Sequence, residues 1–206
     1  MSDELFEQNV SRETYDKLRA YEALIRKWNP SINLVAKSTL SDVWNRHIID
    51  SAQVYFAAFN ERPSNWTDIG SGGGLPGIVV ATLAQQDGQQ TNITMVESDK
   101  RKSVFLRASI RELGLSNAKV INERIEGAQI PISDTVSARA LAPLTDLFTL
   151  SQGFSDQNTT FLFQKGKNWA LEIEMAQNHW SFDYDAIKSE TDSNAVILKI
   201  RGLSRV

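Results

Sequence analysis

The stretch Asp68-Ile69-Gly70-Ser71-Gly72-Gly73-Gly74-Leu75-Pro76-Gly77 lies between a strand-like segment at 66–69 and a helix-like one at 76–84. Four of the five residues from 70 to 74 are glycine, and fixing so much unsubstituted backbone is entropically costly. What glycine supplies is backbone with φ > 0 and a main chain that a bulky ligand can approach closely. Pro76 suits the first turn of a helix, where its missing N–H costs nothing. Glu97 stands 20 residues beyond Gly77, at the end of the next strand-like segment, 93–97. A carboxylate there can accept hydrogen bonds from both hydroxyls of a ribose.

Two cofactors satisfy this pattern. Gly72-x-Gly74-x-x-Gly77 matches the dinucleotide fingerprint, a weak signal by itself. Asp68-x-Gly70-x-Gly72-x-Gly74 reads instead as an S-adenosylmethionine loop. Asp68 favours the second reading, because a carboxylate at the loop mouth repels a pyrophosphate but can pair with the ammonium of a methionine. The chain is also short for a dehydrogenase, which usually adds a substrate domain.

Outward from the loop, strand-like segments at 66–69, 93–97, 119–121, 135–138, 160–164, 181–188 and 195–200 alternate with helix-like ones at 76–84, 100–113, 144–152 and 168–177. Gly114 is placed to cap the second of these helices. Such alternation predicts an α/β, Rossmann-like fold with a mostly parallel sheet covered on both faces. Residues 190–194 read as a hairpin, which makes one edge strand antiparallel. Ahead of the sheet, apolar positions at helical spacing predict a helix over 11–28, ended by Asn29-Pro30. A second helix, capped by Ser38 or Ser41, carries the stripe Trp44, Ile48, Ala52, Tyr55 and Phe59. Residues 1–60 are thus a helical extension packed on a ligand-binding domain at 61–206, within one structural domain.

Composition narrows the chemistry. The 206 residues are 41% hydrophobic and 23% charged, as in ordinary globular chains. No apolar run reaches the ~18–20 residues of a membrane span, and the acidic start is unlike a secretory signal. A soluble, cytoplasmic monomer is expected. There is no cysteine, which excludes thiolate metal sites and cysteine nucleophiles. Two histidines, His47 and His179, are too few for a histidine-rich metal centre, so no metal is expected. The net charge of −3 means that any nucleic-acid contact must use a local basic face. Lys100, Arg101, Lys102, Arg107 and Arg111 form the best such face, and a solvated helix surface is the competing reading. His47 can contact RNA or be a structural histidine tied to Asp50, three positions on. Lys165 and Lys167 stand at the end of the fifth strand, as phosphate contacts or a solvated loop. Arg139 leaves the fourth strand at its carboxyl end, where it can bind a methionine carboxylate, a base or a phosphate. Ser137-Ala138-Arg139-Ala140 lacks the acceptors that hold an exocyclic amine, so an already nucleophilic ring nitrogen such as guanine N7 fits better.

Several segments together resemble one family. They are Trp28-Asn29-x-x-Ile32-Asn33-Leu34, Arg46-His47-x-x-Asp50-Ser51, the loop from Asp68 to Gly77, Lys100-Arg101-Lys102-x-x-Phe105-Leu106-Arg107, Arg124-Ile125-Glu126 and Ser137-Ala138-Arg139-Ala140-Leu141-Ala142. They are similar to the RsmG, or GidB, family of bacterial small-subunit rRNA guanine-N7 methyltransferases, over roughly residues 28–167. The resemblance implies a seven-stranded class I methyltransferase sheet with S-adenosylmethionine as cofactor. It implies methylation of guanine 527 in the decoding-region loop of 16S rRNA, on the small ribosomal subunit or an assembly intermediate. Its implied cofactor contacts are Gly70 and Leu75, then Ile125 and Glu126 beside the adenine, with Arg139 completing the site. Asp68, Ser71, Gly72, Gly74 and Glu97 complete the expected cofactor set, with Arg139 also positioning the reaction and no general base assigned. The alternatives are an NAD(P)-dependent oxidoreductase and a non-catalytic rRNA-binding assembly factor.

Overall fold

A computed structural model of the chain describes residues 6, 8–88 and 90–206. Helix α1 spans Arg12–Ile32, with Ser11 as its N-cap accepting from the Thr14 amide. It does not stop at Pro30. A proline removes one intrahelical hydrogen bond, and this close to the end that loss is local. The helix closes instead at Asn33, in the left-handed region at φ 47°, whose N–H bonds to the Asn29 carbonyl. The Asn29 side chain then accepts from the Val35 amide at 2.8 Å.

Neither Ser38 nor Ser41 caps the next helical stretch. A 3-10 turn over Lys37–Asp42 leads into a π-helical stretch, Trp44–Ile49, which continues as α2, Asp50–Ala58. Of the apolar stripe expected here, Trp44, Ile48, Ala52 and Tyr55 are buried, whereas Phe59, in the 3-10 turn that follows α2, is exposed.

Strands β1 (Asn65–Ile69), β2 (Asn92–Val96), β3 (Ala118–Ile121), β4 (Thr135–Arg139), β5 (Thr160–Lys165), β6 (Trp180–Lys188) and β7 (Val196–Arg205) form one sheet in the order β3-β2-β1-β4-β5-β7-β6. Helices α3 (Gly77–Gln86), α4 (Lys100–Leu113), α5 (Leu144–Ser151) and α6 (Trp169–Gln177) connect them. The first five strands are mutually parallel, and β7 is antiparallel to both β5 and β6. The sheet is therefore seven-stranded and mostly parallel, as expected, with one difference of placement. The reversed strand is β7, one in from the edge, and the edge strand β6 carries Asp183, Asp185 and Lys188, charges that discourage pairing with another chain.

Side chains alternate between the two faces along each strand. Leu162 and Ile197 join a core with α1, α2, α3 and α4, which includes Tyr21, Ile25, Trp44, Val79 and Leu106. Phe161, Phe163, Leu198 and Ile200 join a second core with Phe148 of α5 and Ile173 of α6. The N-terminal helices thus share a core with the sheet. Strand order reverses between β1 and β4, and in open α/β sheets ligands bind outside the carboxyl ends of the strands at that switch.

Candidate active site

The glycine loop leaves β1 at this switch. Gly70, Gly72 and Gly74 have φ of 62°, 55° and 81°, so the left-handed backbone that explains their composition is present. They do not all face a ligand. A Cβ on Gly74 would lie 2.5 Å from Ile78 Cγ1 and 2.7 Å from the Tyr21 hydroxyl, so that glycine is required by the protein's own packing. A Cβ on Gly72 would meet only the Gly70 carbonyl, at 3.7 Å, and the backbone there is open to approach. The Tyr21 hydroxyl of α1 donates to the Gly73 carbonyl, which ties the N-terminal layer to the loop.

Glu97 sits beside this open stretch. Its carboxylate accepts from the Gly72 amide at 2.8 Å through Oε2 and from the Asp99 amide at 2.7 Å through Oε1. Each carboxylate oxygen has a second lone pair, so the group retains acceptor capacity at the carboxyl end of β2. Asp99 caps α4, accepting from the Arg101 and Lys102 amides. Ile125 and Glu126 fall in a short turn, Ile125–Gly127, after β3, with Ile125 half-buried and Glu126 exposed. Asn122 links this edge to β2 by donating to the Glu97 carbonyl at 2.8 Å.

Three expected cofactor contacts are placed differently. Asp68 does not stand at the loop mouth; it is fully buried. Its Oδ1 accepts from the Ser137 hydroxyl at 2.7 Å, its Oδ2 from the Gly77 amide at 3.2 Å, and burial raises its pKa to about 6. Asp68 pins the start of α3 to β4 and is in no position to meet a methionine ammonium. Ser71 is buried too, donating to the Asp68 carbonyl, and the Leu75 side chain belongs to the core, leaving its backbone as the loop part.

On the other side of the switch, Arg139 ends β4. Its Nη1 lies 3.2 Å from Asp50 Oδ2, and its Nη2 donates to the Arg46 carbonyl at 3.2 Å and approaches His47 Nδ1 at 2.5 Å. Arginine has no acceptor, so Nδ1 must be the accepting nitrogen and the imidazole proton sits on Nε2. That N–H meets Thr39 Oγ1 at 2.7 Å, and the Thr39 hydroxyl donates to the Ala36 carbonyl. Burial first, then the Arg139 and Arg46 charges, lower the His47 pKa to about 3. His47 is buried with both nitrogens engaged, so it is neither tied to Asp50 nor available as an RNA contact.

Asp50 is saturated by others. Oδ2 accepts from Gln164 Nε2 at 2.6 Å, and Oδ1 accepts from the hydroxyls of Ser189 and Thr191 at 3.2 and 2.7 Å. Ser189 and Thr191 belong to the β6–β7 connection, and Arg46 also grips that connection through Asp192 at 3.2 Å. Around these groups lies a cavity of about 210 Å³, lined by Arg46, Asp50, Arg139, Gln164 and the β6–β7 connection among others.

Lys165 does not serve as an exposed phosphate contact. Strand alternation turns it to the opposite face from Gln164, where it is buried and its ammonium donates to Glu172 Oε2 and the Ala142 carbonyl, each at 2.7 Å. Lys167, Arg101, Arg107 and Arg111 are exposed, and Arg107 also donates to the Val120 carbonyl at 3.4 Å. Sequence reasoning missed Tyr21, Ser137, Asn122 and Gln164. Gln164 left a signal, a neutral polar residue directly after the apolar run Phe161-Leu162-Phe163, and Ser137 was legible only as part of the segment that carries the family resemblance.

Comparison with known proteins agrees with this architecture. Among solved structures, a ribosomal protein L11 methylase from Lactobacillus delbrueckii subsp. bulgaricus superposes with a TM-score of 0.61 at 15% identity, covering 78% of each chain. An O-methyltransferase from Streptomyces achromogenes, in complex with SAM, gives 0.59 at 11%, covering 90% of this chain and 89% of that one. These likenesses establish the class I methyltransferase fold. In sequence, the small-subunit methyltransferase G of a Ruegeria species is 48% identical over 97% of this chain and 96% of its own length. The Paracoccus denitrificans protein of the same name is 47% identical over 95% of this chain and 98% of its own. The family model for GidB, rRNA small subunit methyltransferase G, matches residues 14–196. On that match and these identities, the chain belongs to the rRNA small subunit methyltransferase G family.

Proposed function

We propose that this chain transfers a methyl group from S-adenosylmethionine to small-subunit rRNA, and that the acceptor is N7 of guanine 527. The observation that carries the reading is the pairing of two half-sites across the switch point. On one side the open backbone at Gly72 meets the Glu97 carboxylate; on the other a small polar cavity opens beyond Arg139. The first half fits the nucleoside end of the cofactor, with Glu97 for the ribose hydroxyls and the turn at Ile125 and Glu126 beside the base. S-adenosylmethionine supplies an electrophilic methyl on a sulfonium. The chain's own part is to hold the acceptor in line and exclude water.

The groups around the cavity suit an acceptor that needs no general base. Asp50 is held by an arginine, a glutamine and two hydroxyls, and His47 has its one lone-pair nitrogen turned to Arg139. His47 thus has no free lone pair to offer as a base, and both oxygens of Asp50 already accept hydrogen bonds. Guanine N7 has an in-plane lone pair and no proton to lose, which fits such a site. Family membership removes the nicotinamide-dependent alternative. The non-catalytic assembly factor is separated from the enzyme by one experiment: transfer of labelled methyl from S-adenosylmethionine to small subunits from cells lacking this protein, with the label located by mass spectrometry. The expected product is 7-methylguanosine at a single 16S position. Particle binding without transfer would favour the assembly factor, and label on another atom or position would overturn the acceptor.

A further inference from the structure

A second hollow adjoins the cavity beyond Arg139. It is an open groove of about 420 Å³, walled by Lys167 and Trp169 on one side, by Ala186 and Lys188 on another, and by residues 193–196. The groove and the cavity share Ala195 and Val196, so the β6–β7 connection separates them. Lys165 and Lys188 are both register partners of Val196, so β5 and β6 end together here. The groove therefore opens at the carboxyl edge of the parallel strands, the same edge as the glycine loop. Its walls are fixed by backbone hydrogen bonds. The Trp169 amide donates to the Gly166 carbonyl at 3.0 Å, closing the turn that carries Lys167, and the Ser189 amide donates to the Ala195 carbonyl at 2.9 Å.

The chemistry of the groove differs from that of its neighbour. Among the described residues no carboxylate lines it, and Asp192 of the same connection pairs with Arg46 and lines the cavity instead. Lys167 and Lys188 are exposed, and neither ammonium has an ion-pair or hydrogen-bond partner among the described residues. Trp169 is half-buried; it packs partly on the second core and also lines the groove. In a chain of net charge −3, two unpaired cations beside an aromatic ring are a local reversal of sign. That combination suits single-stranded nucleic acid, whose phosphates meet the cations and whose bases stack on the ring.

We propose that this groove holds the nucleotide next to the acceptor guanine, with its base stacked on Trp169 and its phosphates met by Lys167 and Lys188. The inference rests on the rRNA methyltransferase reading above and names where the RNA is gripped outside the reaction site. A base that undergoes chemistry is taken out of its stack, which leaves its neighbour with an uncovered face. Trp169 supplies a replacement for the lost partner, one connection away from the cavity. Because every base has a π-face, the contact sets the position of the strand and not the identity of the neighbour.

The test uses small subunits reconstituted with 16S rRNA that is intact or carries an abasic residue on one or the other side of the acceptor. The KM for subunits is measured with the wild-type protein, Trp169→Leu and Trp169→Phe. For wild type, an abasic residue on one of the two sides is expected to raise KM about tenfold, the scale of one lost base–aromatic stack. Trp169→Leu raises KM on intact subunits by a similar factor and Trp169→Phe recovers most of it, while S-adenosylmethionine affinity, measured by calorimetry, is retained. The two losses do not add: on that abasic particle wild type and Trp169→Leu are equal. Lys167→Ala and Lys188→Ala each reduce the salt slope of subunit binding by roughly one. A loss in Trp169→Leu that is the same on intact and abasic particles sets the ring against a ribosomal protein or its own core, and overturns the inference. Wild-type KM values unmoved by either abasic residue, or unchanged salt slopes in both lysine variants, overturn it as well. All three results leave the methyltransferase reading intact, since transfer to the acceptor continues. Absence of transfer to intact subunits by the wild type defeats that reading itself, and this inference with it. Should Trp169→Leu fail to fold, the wild-type abasic series and the two exposed lysines decide alone.

Discussion

Individual side chains here are decided by which face of a strand or helix they occupy. Lys165 and Gln164 are neighbours in sequence, yet one closes an ion pair with Glu172 of α6 and the other donates to Asp50 of α2. Removing one partner of a buried pair is costly, roughly 3–5 kcal/mol when both are fully buried. Glu172 retains water contact, with its side chain 25% exposed, so Lys165→Ala should cost about 2–3 kcal/mol. For a chain of this size that lowers Tm by about 5–10 °C, readable by calorimetry, while the salt dependence of subunit binding stays unchanged. His47 makes a pH prediction. Its folded pKa of about 3 lies below the unfolded value near 6.5. As pH falls below about 6.5 the unfolded chain takes up a proton that the folded chain refuses, so this group's stabilisation is lost progressively toward pH 3. Asp68 has the opposite sign, its folded pKa being raised to about 6, so between pH 6 and 4 folding gains a proton and is favoured. Denaturant titrations at pH 7 and pH 5 should therefore show His47→Gln losing less stability on acidification than wild type. An equal loss would mean that His47 titrates normally in the folded chain.

At the scale of elements, α1 is part of the ligand loop's support. Tyr21 donates to the Gly73 carbonyl, and Leu34, just beyond the helix, backs the same glycine, since a Cβ there would lie 3.2 Å from Leu34 Cβ. The loop conformation is thus held from below by the N-terminal layer as well as by Glu97 from the side. Tyr21→Phe removes one hydrogen bond, worth about 1 kcal/mol, and keeps the ring packed on Phe105. The expected result is an approximately fivefold higher KM for S-adenosylmethionine with little change in kcat at saturation. Unaltered KM would make the helix a bystander to the loop. The π-helical stretch Trp44–Ile49 has a comparable role beside Arg139. It and the first residue of α2 carry Arg46, His47 and Asp50, all three in contact with Arg139. Insertions of this kind recur at functional sites because they re-aim side chains within a helix.

For the whole molecule, a net charge of −3 leaves rRNA binding to a local basic surface. The basic residues of α4 are spread along its length. Arg101 stands at the N-terminus, next to Glu97 and the ligand edge, while Arg111 lies about 15 Å further down the helix, toward the other end of the sheet. Arg101→Glu is expected to weaken subunit binding and reduce the salt slope by roughly one. Arg111→Glu should change neither. The reverse ranking in binding titrations over a salt series would move the RNA track to the far edge of the sheet.

The strand–helix alternation, the loop from Asp68 to Gly77, the acid at Glu97 and the cap at Gly114 were all legible in the sequence, because local backbone demands and apolar periodicity fix them before any distant contact forms. Termini such as the end of α1 at Asn33, past Pro30, were less so, since hydrogen bonds from outside the regular helix set them. The placement of polar side chains at the site was decided by tertiary structure. Asp68 turns inward because Ser137 of β4 and the Gly77 amide satisfy its carboxylate better than a surface position, and nothing near Asp68 in sequence announces Ser137. Arg139, Gln164 and Asp50 lie 25 to 114 positions apart and meet only because β4 pairs with β5 and the N-terminal helices cover that face. Sequence by itself determined the frame and the glycine loop, which depend on neighbours in the chain; the cavity beyond Arg139 came only with the fold, because its groups are neighbours solely in space.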